Sequence, residues 1–246
     1  MSIDIRQERG VLYLHFGSRW IQGAMRIARP SALELEYTRE MLLPLLLAPD
    51  GELPRRVLQI GLGAGSLTRF LHRHFPSMLL SVVETDERVI ATAREFFRLP
   101  DDPSRIRLHV AEGSAFVGWT DDRYDLLLVD GYDAHGRVGA LDSVAFYRAC
   151  RARLGTAGIL ATNLVSGRRG THPSVARMRL AFDERVVALP PCRSGNTVVL
   201  ASARTLRLSV TEVRQRAEAL KQATGLNMFP TLSRYAQACG PEFAFG

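Results

Sequence analysis

The chain's 246 residues are enough for one large α/β domain, or one domain with a small appendage, and its 46% hydrophobic and 23% charged content is ordinary for a soluble globular protein. The net charge is +7, but Lys221 is the only lysine and the arginines are spread along the chain. Arg168-Arg169 and Arg204/Arg207 are short local concentrations with no stacking aromatics beside them, which argues against a nucleic-acid-binding stripe.

The segment Met1–Arg9 mixes both charge signs without an apolar core, so no signal peptide is expected. Residues 11–28 predict two short strands around the turn Gly17-Ser18. A helix is expected over 31–47, with Pro30 and Ser31 as start signals and Leu33, Tyr37, Glu40 and Met41 at helical spacing. The longest apolar run, Met41–Ala48, contains Pro44 and falls short of the ~20 residues of a membrane span. After a turn-rich linker at 49–54, strands at 56–60, 79–84, 106–110, 125–130 and 157–163 alternate with helices near 65–75, 87–98, 114–119 and 143–153. That alternation predicts βαβ units and a parallel sheet. Val186–Pro190 and Thr197–Ala201 flank Gly195-Asn196 and predict an antiparallel hairpin, followed by a solvated terminal helix over 211–222. Cys150, Cys192 and Cys239 are scattered, with neither a disulfide framework nor metal-ligand spacing. A cytoplasmic, metal-free protein is the expectation.

Three strand ends carry the chemistry, because ligands of open α/β sheets bind beyond the carboxyl ends of the strands. Gly61, Gly63 and Gly65 follow the strand Val57–Ile60 and precede the helical run Leu67–Leu71. Such a turn lets a ligand approach backbone amides at a helix start, although alone it equally describes a plain strand–helix turn. Glu84 ends the next strand, 23 residues after Gly61, where a carboxylate accepts hydrogen bonds from ribose hydroxyls. Asp86, in Thr85-Asp86-Glu87, reads as a helix N-cap. The short G-x-G-x-G form and the absence of a phosphate-binding residue favour adenosine without a pyrophosphate. Glu112 suits either the adenine amino group or a solvated loop.

Asp130 and Asp133 form the sharpest signal. Asp130 follows four apolar strand residues, and Gly131-Tyr132 returns a second carboxylate to the same loop. An alkylamine of pKa near ~10 must lose a proton before it attacks. A recessed carboxylate can hold the ammonium, take that proton and orient the lone pair. His135 could relay a proton or simply be exposed, and His72 and His74 read as surface residues.

With these residues the chain resembles the polyamine aminopropyltransferases, the spermidine synthase family, in a short bacterial form. The similarity runs from about Trp20 to Ala201: Ile21-Gln22, Glu40-Met41-Leu42, the glycine turn with Glu84 and Val89-Ile90, Asp130-x-x-Asp133, Phe146-Tyr147 and Gly155-x-x-Gly158. The resemblance implies a Rossmann-like S-adenosylmethionine-dependent transferase fold, a mostly parallel seven-stranded sheet with an antiparallel last strand and a small N-terminal β-hairpin region. It implies a hairpin and lid helix over 1–50, a catalytic domain over 51–205 and a helical tail over 206–246. Asp130 would be the catalytic carboxylate and Asp133 would hold the diamine. Glu84 would take the ribose, Glu112 the adenine, and Gln22 would reach the cofactor from the lid. The donor would be decarboxylated S-adenosylmethionine, the partner a small-molecule amine, and the assembly a homodimer.

Two positions depart from the family pattern. Ala64 stands where the family has an aspartate that holds the donor's amino group, which also admits ordinary S-adenosylmethionine and methyl transfer. Arg39 lies in the first helix, on a wall expected to accept a dication, where like charges oppose binding. A non-catalytic member that binds an adenosine metabolite is the third reading.

Overall fold

The computed structural model describes residues 2–18, 20–48, 52–131, 139–165, 173–239 and 244–245. Asp133, His135 and the Arg168-Arg169 pair lie outside the described residues.

A three-stranded antiparallel sheet comes first: β1 (Asp4–Glu8), β2 (Val11–His15) and β3 (Ile21–Arg26). Sequence patterning misses β1, whose DIRQE composition carries no apolar alternation. Register against β2 alone makes it a strand.

The helix expected over 31–47 is instead two short ones, α1 (Glu36–Glu40) and α2 (Pro44–Leu47). Pro44 has no N–H to continue an α-helical ladder. The joint tightens accordingly, with Leu42 N–H on Arg39 O and Leu43 N–H on Glu40 O, both at 3.0 Å.

The main sheet contains β4 (Arg56–Ile60), β5 (Leu79–Glu84), β6 (Ile106–Val110), β7 (Tyr124–Val129), β8 (Leu154–Val165), β9 (Val186–Ala188) and β10 (Asn196–Ser202), in spatial order β6-β5-β4-β7-β8-β10-β9. The first five are parallel to one another, and β10 runs antiparallel between β8 and β9. The chain builds outward from β4 to β6, then returns to add β7 on the other side of β4. Carboxyl ends of β4 and β7 therefore flank the topological switch point, where a crevice opens in such sheets.

Central strands are nearly continuous apolar runs because both faces are covered. Leu126 and Leu128 point into one core with α3 (Ser66–His74), while Leu127 and Val129 point into the other with α5 (Gly113–Trp119), α6 (Val144–Arg153) and α7 (Pro173–Phe182). The first core also takes in α4 (Glu87–Glu95), α8 (Val210–Thr224) and α9 (Phe229–Cys239). Asp86 caps α4 as expected, its side chain accepting from Arg88 N–H. The helix expected over 211–222 as a solvated terminal one is α8, followed by α9 and only half solvated. Val213, Ala217 and Leu220 bury one face of α8, between a capping box at Ser209/Glu212 and the C-cap Gly225.

A third cluster seats the small sheet on the large one: Leu14, Phe16 and Met25 pack with Ala64, Val89 and Phe97. This contact brings β3 down onto the glycine turn. A short pairing of β11 (Leu206–Arg207) with β12 (Ala244–Phe245) completes the architecture. No described helix is long and apolar enough to cross a membrane.

Candidate active site

A cavity of about 510 Å³ opens at the switch point, walled by β3 residues, the glycine turn, and the carboxyl ends of β4, β5, β7 and β8. Gln22, Gly61, Gly63, Glu84, Glu112 and Asp130 all line it. Gly61 and Asp130, 69 sequence positions apart, converge because the parallel strands β4 and β7 end together.

The glycine turn is built from backbone ties. Gly61 N–H donates to Val83 O, and Asp130 N–H donates to Ile60 O, both at 2.8 Å, extending the sheet ladder one residue past the strands. At Gly61 φ is +88°, and a Cβ would stand 2.1 Å from the carbonyl oxygen of Asp130. Only glycine permits that approach. Gly61→Ala is therefore expected to push β4 from β7 at the site itself. We expect loss of about 2–4 kcal/mol, from left-handed strain plus overpacking, read as a lower denaturation midpoint, together with loss of adenosyl-ligand binding by calorimetry.

Gly63 (φ +52°) is approached by Gln22, whose carbonyl oxygen would lie 2.8 Å from a Cβ there. Gly65 is the N-cap of α3 at φ +69°, facing Leu99 and Arg69, one step behind the wall that Gly61 and Gly63 line. Arg69, almost fully buried, holds Pro30 O and Ala64 O from beneath, and burial pushes its guanidinium down to about 10.

Glu84 is fixed by four donors. Its Oε1 accepts from Thr85 N–H (2.8 Å), Thr85 Oγ1 (3.2 Å) and Asp86 N–H (3.2 Å), and its Oε2 accepts from Leu62 N–H at 3.0 Å. The carboxylate thus ties the glycine turn to the end of β5. Oε2, with one donor among the described residues, retains capacity for another. Glu112 is the N-cap residue of α5 without a side-chain cap bond, so its carboxylate is not spent on its own helix.

Asp130 sits recessed at the inner end. Tyr37 Oη donates to its Oδ2 at 3.0 Å and Asn163 Nδ2 to its Oδ1 at 2.8 Å. Burial pushes the Asp130 carboxyl above its ordinary range, and the two hydrogen bonds pull the other way. From sequence, Tyr37 stands only at helical spacing, Asn196 only in a hairpin turn, and Asn163 carries no expected role. Tyr37 packs in the core, yet its hydroxyl reaches the carboxylate. Asn163 is a polar residue inside the apolar run Gly158–Val165, and pairing of Val129 with Thr162 sets it beside Asp130. That break in apolarity was the available signal.

Neither departure from the family pattern points into the cavity. Ala64 is buried beneath Gly23, where a glycine Cβ would meet the Ala64 Cβ at 2.4 Å. Arg39 turns its guanidinium to Leu33 O (3.0 Å) and Glu34 O (2.9 Å) and is not on the cavity wall, so the expected clash with a dication is corrected. Helix geometry explains this, since Arg39 lies two residues, about half a turn, from Tyr37.

Residues 36–166 match the family model described as the spermine/spermidine synthase domain. A polyamine aminopropyltransferase of Chromobacterium violaceum is 34% identical over 237 residues, covering 96% of this chain and 90% of the relative. In fold, a probable spermidine synthase from Corynebacterium glutamicum superimposes with a TM-score of 0.73 at 19% identity, over 94% of this chain and 91% of the other. A spermidine synthase in complex with the transition state analogue AdoDATO gives 0.68 at 20% identity, over 95% and 85%. Matched across its sheet core and along nearly its whole length, the chain belongs to the spermine/spermidine synthase family of transferases.

Proposed function

We propose that the protein transfers an aminopropyl group from decarboxylated S-adenosylmethionine to a diamine such as putrescine, releasing 5′-methylthioadenosine. The observation that carries this reading is the Asp130 carboxylate, recessed and held by Tyr37 and Asn163, in the same cavity as the glycine turn and Glu84. The relative bound to AdoDATO supports an adenosyl ligand in this family.

Glu84 would take ribose hydroxyls on Oε2, Glu112 the adenine amino group, and Gln22 would close over the donor from β3. Asp133 is assigned to the diamine from the resemblance. Asp130 binds the near ammonium, accepts its proton and leaves the nitrogen lone pair facing the donor. That nitrogen displaces in line at the carbon beside the sulfonium. The N–C bond forms as the C–S bond breaks, and its electrons neutralise the sulfur as thioether. The protein's work is to hold, desolvate and deprotonate.

A second reading rests on Ala64. The turn offers the donor no carboxylate, because position 64 is an alanine packed against Gly23, so intact S-adenosylmethionine would be accepted and the reaction would be a methyl transfer. Incubation with each donor and putrescine, followed by mass spectrometry, separates the two. Methylthioadenosine with a new polyamine supports aminopropyl transfer. S-adenosylhomocysteine with a methylated amine replaces it with the second reading, and no turnover with either donor overturns both.

A further inference from the structure

Asp130 is the end of a chain of hydrogen bonds with a defined direction. Ser194 Oγ donates to Asn196 Oδ1 at 2.6 Å, Asn196 Nδ2 donates to Asn163 Oδ1 at 3.0 Å, and Asn163 Nδ2 donates to Asp130 Oδ1 at 2.8 Å. Sheet register explains the contact. Asn196 pairs with Val165 across β10 and β8, which sets it diagonally opposite Asn163 on the same face.

An asparagine amide has a donor end and an acceptor end, and its neighbours decide which faces which partner. With Asn196 donating to its oxygen, Asn163 must present NH₂ to Asp130. Turned over, it would present a carbonyl oxygen to a carboxylate, disfavouring the ionised form that takes a proton.

We infer that Asn196 is a positioning residue for the reaction: acting through Asn163, it fixes the amide end that faces Asp130 and so the ionised, oriented state of that carboxylate. The inference rests on Asp130 being the base. Tyr37 from α1 is the titratable group touching Asp130 among the described residues, and Glu84 and Glu112 share the cavity wall.

The test is Asn196→Asp, which can only accept and therefore pulls the Asn163 NH₂ away from Asp130. Asn196→Ala, which removes the donor to the Asn163 oxygen without adding a charge, is the second variant. Each is made in wild-type and Asn163→Ala backgrounds. The readouts are kcat against pH and the ¹³C titration of the Asp130 carboxyl, assigned by its loss in Asp130→Asn. We expect Asn196→Asp to lower kcat about tenfold at neutral pH, the size of one lost hydrogen bond to a charged group. It should also move the Asp130 titration to higher pH with the donor KM unchanged, Asn196→Ala falling between it and wild type. In the Asn163→Ala background the same substitution should change kcat less than about twofold, as expected when the coupling runs through the deleted partner. An equal effect in both backgrounds would assign it to direct charge repulsion and overturn the relay, as would an unshifted titration in Asn196→Asp. The carbon titration needs no turnover, so a protein inactive with every donor would refute the proposed reaction while the relay is still decided.

Discussion

Asp130→Asn is expected to lower kcat by about 10²–10⁴-fold, the usual contribution of a positioned general base, while adenosyl-ligand binding by calorimetry stays within about threefold. The substitution keeps the shape of the side chain and its place between Tyr37 and Asn163 but cannot accept the amine's proton. The wild-type pH profile carries the same signature. The carboxylate must be ionised to act, and burial raises its pKa above the ordinary 3.8. Activity should therefore be full above the raised pKa and lost as pH falls through it, giving an acid limb above the usual aspartate range. Single-turnover rates against pH check both points. An Asn variant within threefold of wild type would remove Asp130 from the role of base.

Arg234→Met is expected to cost about 3–5 kcal/mol, the range for removing one partner of a buried ion pair, and to lower the melting temperature by roughly 10 °C. Glu40 is 1% exposed, its carboxylate accepting from Arg234 Nε and, at 3.1 Å, from Cys192 Sγ. Arg234 also donates to Pro190 O, so one side chain pins α9 to α1 and to the segment before β10. Burial raises the Glu40 pKa, while Cys192 and Arg234 oppose the rise. Without the guanidinium the rise grows, and the native state holds a proton that the unfolded state releases. Stability of the variant should then fall as pH rises through that interval, so its deficit shrinks on acidification. Thermal melts at neutral and mildly acidic pH check this. A deficit that is constant or grows on acidification would contradict the buried-pair account. Glu36, Glu40 and Cys192 have side-chain atoms within 4.8 Å of one another, a convergence hidden by 152 residues of sequence. Arg234 already brings a cation to it.

The sheet was legible because buried parallel strands declare themselves as apolar runs, and each strand end marks a place on one edge. Gly61, Glu84 and Asp130 were readable for that reason: a polar or glycine residue closing an apolar run faces the crevice wherever the run lies in the order. Tyr37, Asn163 and Asn196 depend on which strand neighbours which and in what register, facts that no local pattern encodes. Gly65 shapes the helix start as the N-cap of α3, while Gly61 and Gly63 line the wall. The α7 helix escaped notice because its apolar residues, Val175, Met178, Ala181 and Phe182, alternate with arginines in a short stretch. The α9 helix lies in the segment expected as a helical tail, but its role was not legible: Arg234 within it braces the helix that carries Tyr37.

Transfer requires the amine nitrogen and the sulfonium carbon to meet beside Asp130. A crystal soaked with the decarboxylated sulfonium donor, or its unreactive analogue, together with a diamine would show whether they do. Ribose is expected on Glu84 and an amine nitrogen within about 3 Å of an Asp130 carboxylate oxygen, in line with the carbon beside sulfur. Adenosine bound away from Gly61–Glu84, or a diamine that leaves Asp130 to Tyr37 and Asn163 alone, would contradict that placement.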